Sequence, residues 1–212
     1  MPAPLSGIIV LDLTHVLAGP FCSSILQDLG ARIIKVERPV TGDDTRAFPP
    51  FVNGESAYFS ALNAGKQSIA LDLKTPSDRA VFDRLLARAD ILLENFRPGV
   101  MDRLGYGWDA LHPRHPRLIY GAVSGFGHTG PDAAKPAYDM VVQARGGVMS
   151  ITGEEGGPPS ASVPPSGISS QECIWFKGLQ PHSTPVNGPA KGRRSTSPCS
   201  IPNWRSRNTA SP

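Results

Sequence analysis

I-I-V-L-D-L-T-H-V-L-A-G-P-F-C-S-S-I-L-Q-D-L-G-A-R-I-I-K-V-E-R-P, residues Ile8 to Pro39, decides the fold. It opens with an apolar run, Ile8 to Leu13, bounded by Gly7 and by Thr14 and His15, the signature of a strand buried on both faces of a parallel sheet. Gly19 and Pro20 punctuate a turn. Phe21, Ile25, Leu26 and Leu29 then recur at helical spacing until Gly30 stops the helix. Ala31 to Val36 is a second apolar run, so the stretch is one βαβ unit, and such units place ligands beyond the carboxyl end of the first strand, here Thr14 to Pro20.

Working outward, the segment from Arg38 to Gly54 is rich in Pro, Gly and charge and reads as a long loop of the kind that carries function. Ser56 to Asn63 is a short helix and Ser68 to Leu73 a strand, alternating or fully buried. Thr75-Pro76-Ser77-Asp78 starts a helix whose stripe is Val81, Phe82, Leu85 and Leu86. Ile91 to Glu94 and Arg117 to Ser124 are further strands, with helical turns at Val100 to Leu104, Trp108 to Leu111 and Tyr138 to Val142. Alternating strands and helices predict an α/β domain with a mostly parallel, Rossmann-like sheet and flanking helices.

Composition divides the 212 residues at about residue 160. Residues 1–159 carry a formal charge of about −2, residues 160–212 about +5, with Glu172 the one acid of the tail. The tail is rich in Ser and Pro and has no periodicity at 2 or 3.6, so it is expected to be disordered. Without interleaved aromatics, a zinc spacing or an amphipathic helix, its charge supports neither a nucleic-acid nor a membrane partner. Cys22, Cys173 and Cys199 form no C-x-x-C pair, which points to a reducing compartment, the cytoplasm; Cys22 reads as a buried thiol. No metal site is expected, and no apolar run is long enough to span a membrane.

Arg38, Lys74, Arg97 and Arg103 each follow a predicted strand or open a helix, and such ends meet at one crevice, where cations suit a polyphosphate. His15 sits where a catalytic residue sits, or packs as a plain strand-end histidine. The turn T-H-V-L-A-G-P-F lacks G-x-G-x-x-G, which argues against an NAD-dependent oxidoreductase.

L-S-G-I-I-V-L-D-L-T-H-V-L-A-G-P-F, I-K-V-E-R-P with G-D-D-T-R, N-A-G-K-Q-S-I-A-L-D-L-K, L-L-E-N-F-R-P-G-V-M-D-R-L-G-Y-G-W, and P-A-Y-D-M-V-V-Q-A-R-G-G-V-M-S-I-T-G with G-G-P-P together resemble the class III CoA-transferases, the family of formyl-CoA and carnitine CoA-transferases. The resemblance runs from about Leu5 to Pro159. The related α-methylacyl-CoA racemases carry G-H-D where this chain has P-A-Y-D, which favours the transferase branch. The resemblance implies transfer of CoA from an acyl-CoA to a carboxylic acid through an enzyme aspartyl thioester. It implies CoA as substrate, with no permanently bound cofactor, and a CoA site drawn from Leu17, Ala18, Arg38, Leu71, Asp72, Leu73, Lys74, Asn95, Phe96, Arg97, Arg103, Ala137, Tyr138 and Asp139. Family members form interlinked homodimers that use a second domain and a returning C-terminal segment, neither of which is legible here.

The family nucleophile is the aspartate of a G-D pair shortly beyond G-G-P-P, where this chain has Gly167-Ile168. A hydrocarbon side chain cannot attack a thioester, so the chain is expected to be inactive, or a CoA-binding module without turnover. Reading the family's T-G-K-G-Q-K-V-D-V-A-M-L-D-S-Q-L one base late is compatible in the standard code with every residue from Pro189 to Trp204, including Cys199 from a methionine codon and Trp204 from a leucine codon. Domain expectations follow: residues 1–159 are the N-terminal part of a CoA-transferase large domain, and 160–212 a frameshifted tail. A sheet so truncated leaves apolar faces uncovered, which predicts poor solubility.

Overall fold

The computed structural model describes residues 2–162 and 194–198. The main sheet is built from β1 (Ile9–Asp12), β2 (Arg32–Glu37), β5 (Gln67–Ala70), β6 (Ile91–Glu94), β7 (Ile119–Ser124) and β8 (Arg194–Pro198) in the order β5-β2-β1-β6-β7-β8, every pairing parallel. A two-residue hairpin, β3 (Phe51–Val52) and β4 (Glu55–Ser56), lies outside it. Strand order therefore runs outward in both directions from β1 and β6, and their carboxyl ends frame a topological switch point, where open α/β sheets bind ligands.

The strands alternate buried side chains between two faces. Leu11 and Leu92 point into one apolar layer, roofed by α3 (Pro76–Leu86), α4 (Val100–Leu104) and α5 (Trp108–Leu111) through Phe82, Leu86, Met101 and Leu111. Val10 and Leu93 point into the other, roofed by α1 (Ala18–Asp28) and α6 (Asp139–Gly146) through Cys22, Leu26 and Val142. The remaining helix, α2 (Ala57–Asn63), is capped by Ser56, whose Oγ accepts the Phe59 N–H, and Thr75 caps α3 ahead of Pro76 in the same way.

Most predicted elements lie where the pattern puts them, and Cys22 is buried. Two differ. β5 ends at Ala70 and forms the edge of the sheet, because among the described residues no strand pairs with its outer side; Leu71 and Leu73 are buried beyond its end. In the tail expected to be disordered, Arg194–Pro198 pairs in parallel with β7, from Tyr120↔Arg194 to Ser124↔Pro198, a ladder of backbone groups that asks little of the side chains and ends at a proline, which brings a carbonyl but no N–H. Residues 163–193 and 199–212 of that tail lie outside the described residues.

Candidate functional site

The turn after β1 is held from three sides. The Asn95 side chain, just past β6, accepts the His15 N–H at 2.9 Å and donates to the His15 carbonyl at 2.8 Å. Asp43 Oδ1 accepts the Val16 N–H at 3.3 Å. Gly19 approaches Thr14 so closely that an added Cβ lies 2.2 Å from the Thr14 Cβ. Between these contacts Val16 adopts φ 68°, a left-handed conformation costing a β-branched residue about 1–3 kcal/mol.

Buried charge supplies the anchors. Lys35 Nζ lies 2.9 Å from Asp43 Oδ2 and donates to the Thr14 carbonyl at 2.7 Å; the two side chains are 1% and 0% exposed. Burial opposes the Asp43 carboxylate, but the Lys35 ammonium and the Thr45 hydrogen bonds outweigh it and bring its pKa down to about 2. Glu37 likewise falls to about 2: burial is overcome by Arg46, at 2.7 Å through both Nε and a terminal nitrogen, and by Ser68. Under α1, Lys66 Nζ reaches Ser23 and the Pro20 carbonyl at 2.7 Å, Asn63 at 2.9 Å and Asp12 at 3.4 Å. Burial lowers Lys66 to about 8, against the pull of Asp12. Asp12 stays below the usual carboxylate range because Lys35, Lys66, Ser23 and Thr14 outweigh its burial.

Two cavities open along the strand ends. The first, about 420 Å³, has apolar walls that include Leu13, Val36, Leu71, Leu73 and Phe96, with His15, Arg38 and Lys74 also lining it. The second, about 180 Å³, is more polar and is lined by Arg97, Ser124, Lys135, Ala137 and Tyr138 among others. Phe96 lines both. Gly125 permits the second: a Cβ there lies 1.9 Å from the Ala137 Cβ.

The fold thus gathers Arg38, Leu71, Asp72, Leu73, Lys74 and Phe96 at the first cavity and Asn95, Arg97, Ala137 and Tyr138 at the second. Arg38 also pairs with Asp44 at the surface. Leu17, Ala18, Arg103 and Asp139 line neither. Leu17 precedes α1 and Ala18 is buried in its first turn; Arg103 rides on α4, and Asp139 accepts a hydrogen bond from Gln143 in α6. The four strand-end cations therefore do not converge on one point: two serve the first cavity, one the second, and Arg103 neither. Ile168 lies outside the described residues. Sequence reading missed Asp43, Lys35, Asp12 and Lys66. The available signal was a carboxylate, Asp12, inside an apolar strand, which requires a buried cation.

No described helix is long and apolar enough to cross a membrane. Residues 5–168 match CoA-transferase family III, beyond Pro159, where the quoted motifs end, as far as the Gly167-Ile168 pair. The acetyl-CoA:oxalate CoA-transferase of Acetobacter aceti is 57% identical over 157 residues, 74% of this chain and 40% of that one. The succinyl-CoA:glutarate CoA-transferase of Mus musculus is 46% identical over 157 residues, 74% of this chain and 36% of the relative. The crystal structure of Rv3272 from M. tuberculosis superposes with a TM-score of 0.84 at 32% identity, covering 93% of this chain and 55% of that one. The chain spans about two fifths of the length of the curated relatives it matches. With a match over most of its residues, the chain belongs to CoA-transferase family III.

Proposed function

We propose that this chain holds acyl-CoA along the carboxyl ends of β1, β2, β6 and β7 and does not transfer the CoA. The carrying observation is the pair of cavities that meet at Phe96 across the switch point. The larger, with its apolar walls and Arg38 and Lys74, suits a flat base with phosphates beside it. The thioester limb then passes Phe96 toward Arg97, Lys135 and Tyr138. The relatives' names, with oxalate or glutarate as one acid, favour transfer of CoA between small carboxylic acids as the ancestral reaction. The position matching the family nucleophile is Ile168, which has no lone pair to attack the acyl carbon. The late-frame correspondence from Pro189 to Trp204 supports a single-base shift near codon 160 as the origin of the change, with residues 1–159 as the CoA-binding body. The odd cysteine count suits the cytoplasm.

The test is calorimetry of the full chain with CoA, paired with an assay for label exchange between two acids. The expected result is binding at one site with exchange at the background of an empty-vector preparation. Exchange above that background overturns the inactivity, and absence of binding overturns the pocket. Sequencing the gene checks the origin: a single-base shift of the frame near codon 160 is expected to restore G-D-I, and failure of any such shift to do so contradicts the idea.

A further inference from the structure

His15 is gripped by its backbone while its ring is left with an unused nitrogen. Asn95 takes both its N–H and its carbonyl, and the strained Val16 beside it is pinned by the buried Lys35–Asp43 pair. The ring stands edge-on to Phe96, centroids 5.3 Å apart at 60°, and lines the larger cavity beside Arg38 and Lys74. Its Nδ1 is buried with no hydrogen-bond partner among the described residues. Burial, together with Lys35 and Arg38, holds the imidazole pKa below its usual value against Asp43 and Asp44, so the ring is neutral near pH 7 and carries one N–H. A buried N–H without an acceptor is costlier than a buried bare nitrogen, which puts the hydrogen on Nε2. The three-sided clamp therefore holds a ring with one N–H donor at the cavity wall, which apolar packing alone does not require.

We propose that His15 is a binding residue for the nucleotide half of acyl-CoA, donating a hydrogen bond from Nε2 to an acceptor atom of that half in the larger cavity. The assignment rests on the acyl-CoA reading above and adds to it a residue and a ligand contact. It also explains a strained turn at this place: without a ligand to meet, a relaxed turn holds β1 to α1 equally well.

The test compares three probes, CoA, ADP and pantetheine, on the full chain. His15→Phe keeps the ring without its nitrogens and is expected to weaken CoA and ADP about tenfold, the worth of one hydrogen bond, leaving pantetheine unchanged. His15→Gln, which offers an N–H at similar reach, is expected to stay within about threefold of wild type. Should the phenylalanine variant fail to fold, nitrogen-15 spectra of the wild-type histidines decide, with the His15 signals assigned from the glutamine variant. They are expected to report the Nε2–H form and a shift of that nitrogen on adding CoA or ADP but not pantetheine. If the wild type binds CoA while His15→Phe binds ADP equally well, or the His15 signals do not move, the assignment to His15 fails and the acyl-CoA reading stands. If the wild type does not bind CoA, both fail.

Discussion

The two ends of the crevice are built in opposite ways. At the β1–β2 end, a buried lattice of Lys35, Asp43, Asp12 and Lys66 locks the turn, and Glu37 and Arg46 lock the loop above it. At the β7–α6 end, Tyr138, Met140, Val141 and Ile151 stand exposed, Ile151 at 86%. The carboxyls differ in the same sense. Asp43 and Glu37 are held ionised with pKa values of about 2, whereas burial pushes Glu94, at the end of β6, up to about 7 despite the hydrogen bonds from Phe96 and Tyr120. The β1–β2 end is thus fixed by contacts among residues 12–95, whereas the β7–α6 end keeps apolar side chains exposed.

The largest effect expected from breaking this contrast is at Lys35. Lys35→Met strands the Asp43 carboxylate in the core and is expected to cost about 3–5 kcal/mol in urea unfolding, part of it recovered in the double variant with Asp43→Asn, which removes the stranded charge and keeps an oxygen for the Val16 N–H and for Thr45. Next is the response to pH. Because the folded pKa of Glu94 is raised, the folded state binds the extra proton between pH 4.5 and 7, and stability falls as pH rises through that window, by about 3 kcal/mol. Glu94→Gln is expected to remove this slope. Asp43 and Glu37 act with the other sign: their stabilisation is complete above about pH 4.5 and is lost as pH falls toward 2.

A matched pair of glycines sharpens the contrast. Gly19→Ala drives a methyl into Thr14, whose hydroxyl and backbone are already bonded to Asp12, and is expected to cost about 3 kcal/mol. Gly125→Ala meets Ala137, which lies outside helix and strand at the rim of the second apolar layer, and is expected to cost about 1–2 kcal/mol by the same denaturation measurement. The smallest effect is Ile151→Ser, within about 0.5 kcal/mol of wild type, while light scattering at high protein concentration is expected to fall as an exposed apolar side chain is removed.

Local pattern made the framework legible. The runs at Ile9–Asp12 and Ile91–Glu94 and the capped start of α3 are short-range signals, and the structure keeps them. β5 was harder, because an edge strand followed by two buried leucines has the same apolar letters as a buried strand. Arg38 and Lys74 were legible as strand-end cations; that Arg103 stays on its own helix was not, since a charge's direction depends on helix rotation. The clamps were least legible. Asp12 looked like one polar letter in an apolar strand, and its partner Lys66 lies 54 residues away, a pairing set by the crossover of α2 onto α1. His15 and Asn95, 80 residues apart, meet only because β1 and β6 are neighbours at the switch point.

The central claim is that the first strands form a ready-made receptor for the nucleotide of CoA. Amide hydrogen exchange of the full chain, with and without saturating CoA, addresses it directly. Slowed exchange is expected in residues 14–18, 38–44, 71–74 and 95–97. Unchanged exchange in all four segments, or protection confined to other parts of the chain, contradicts it.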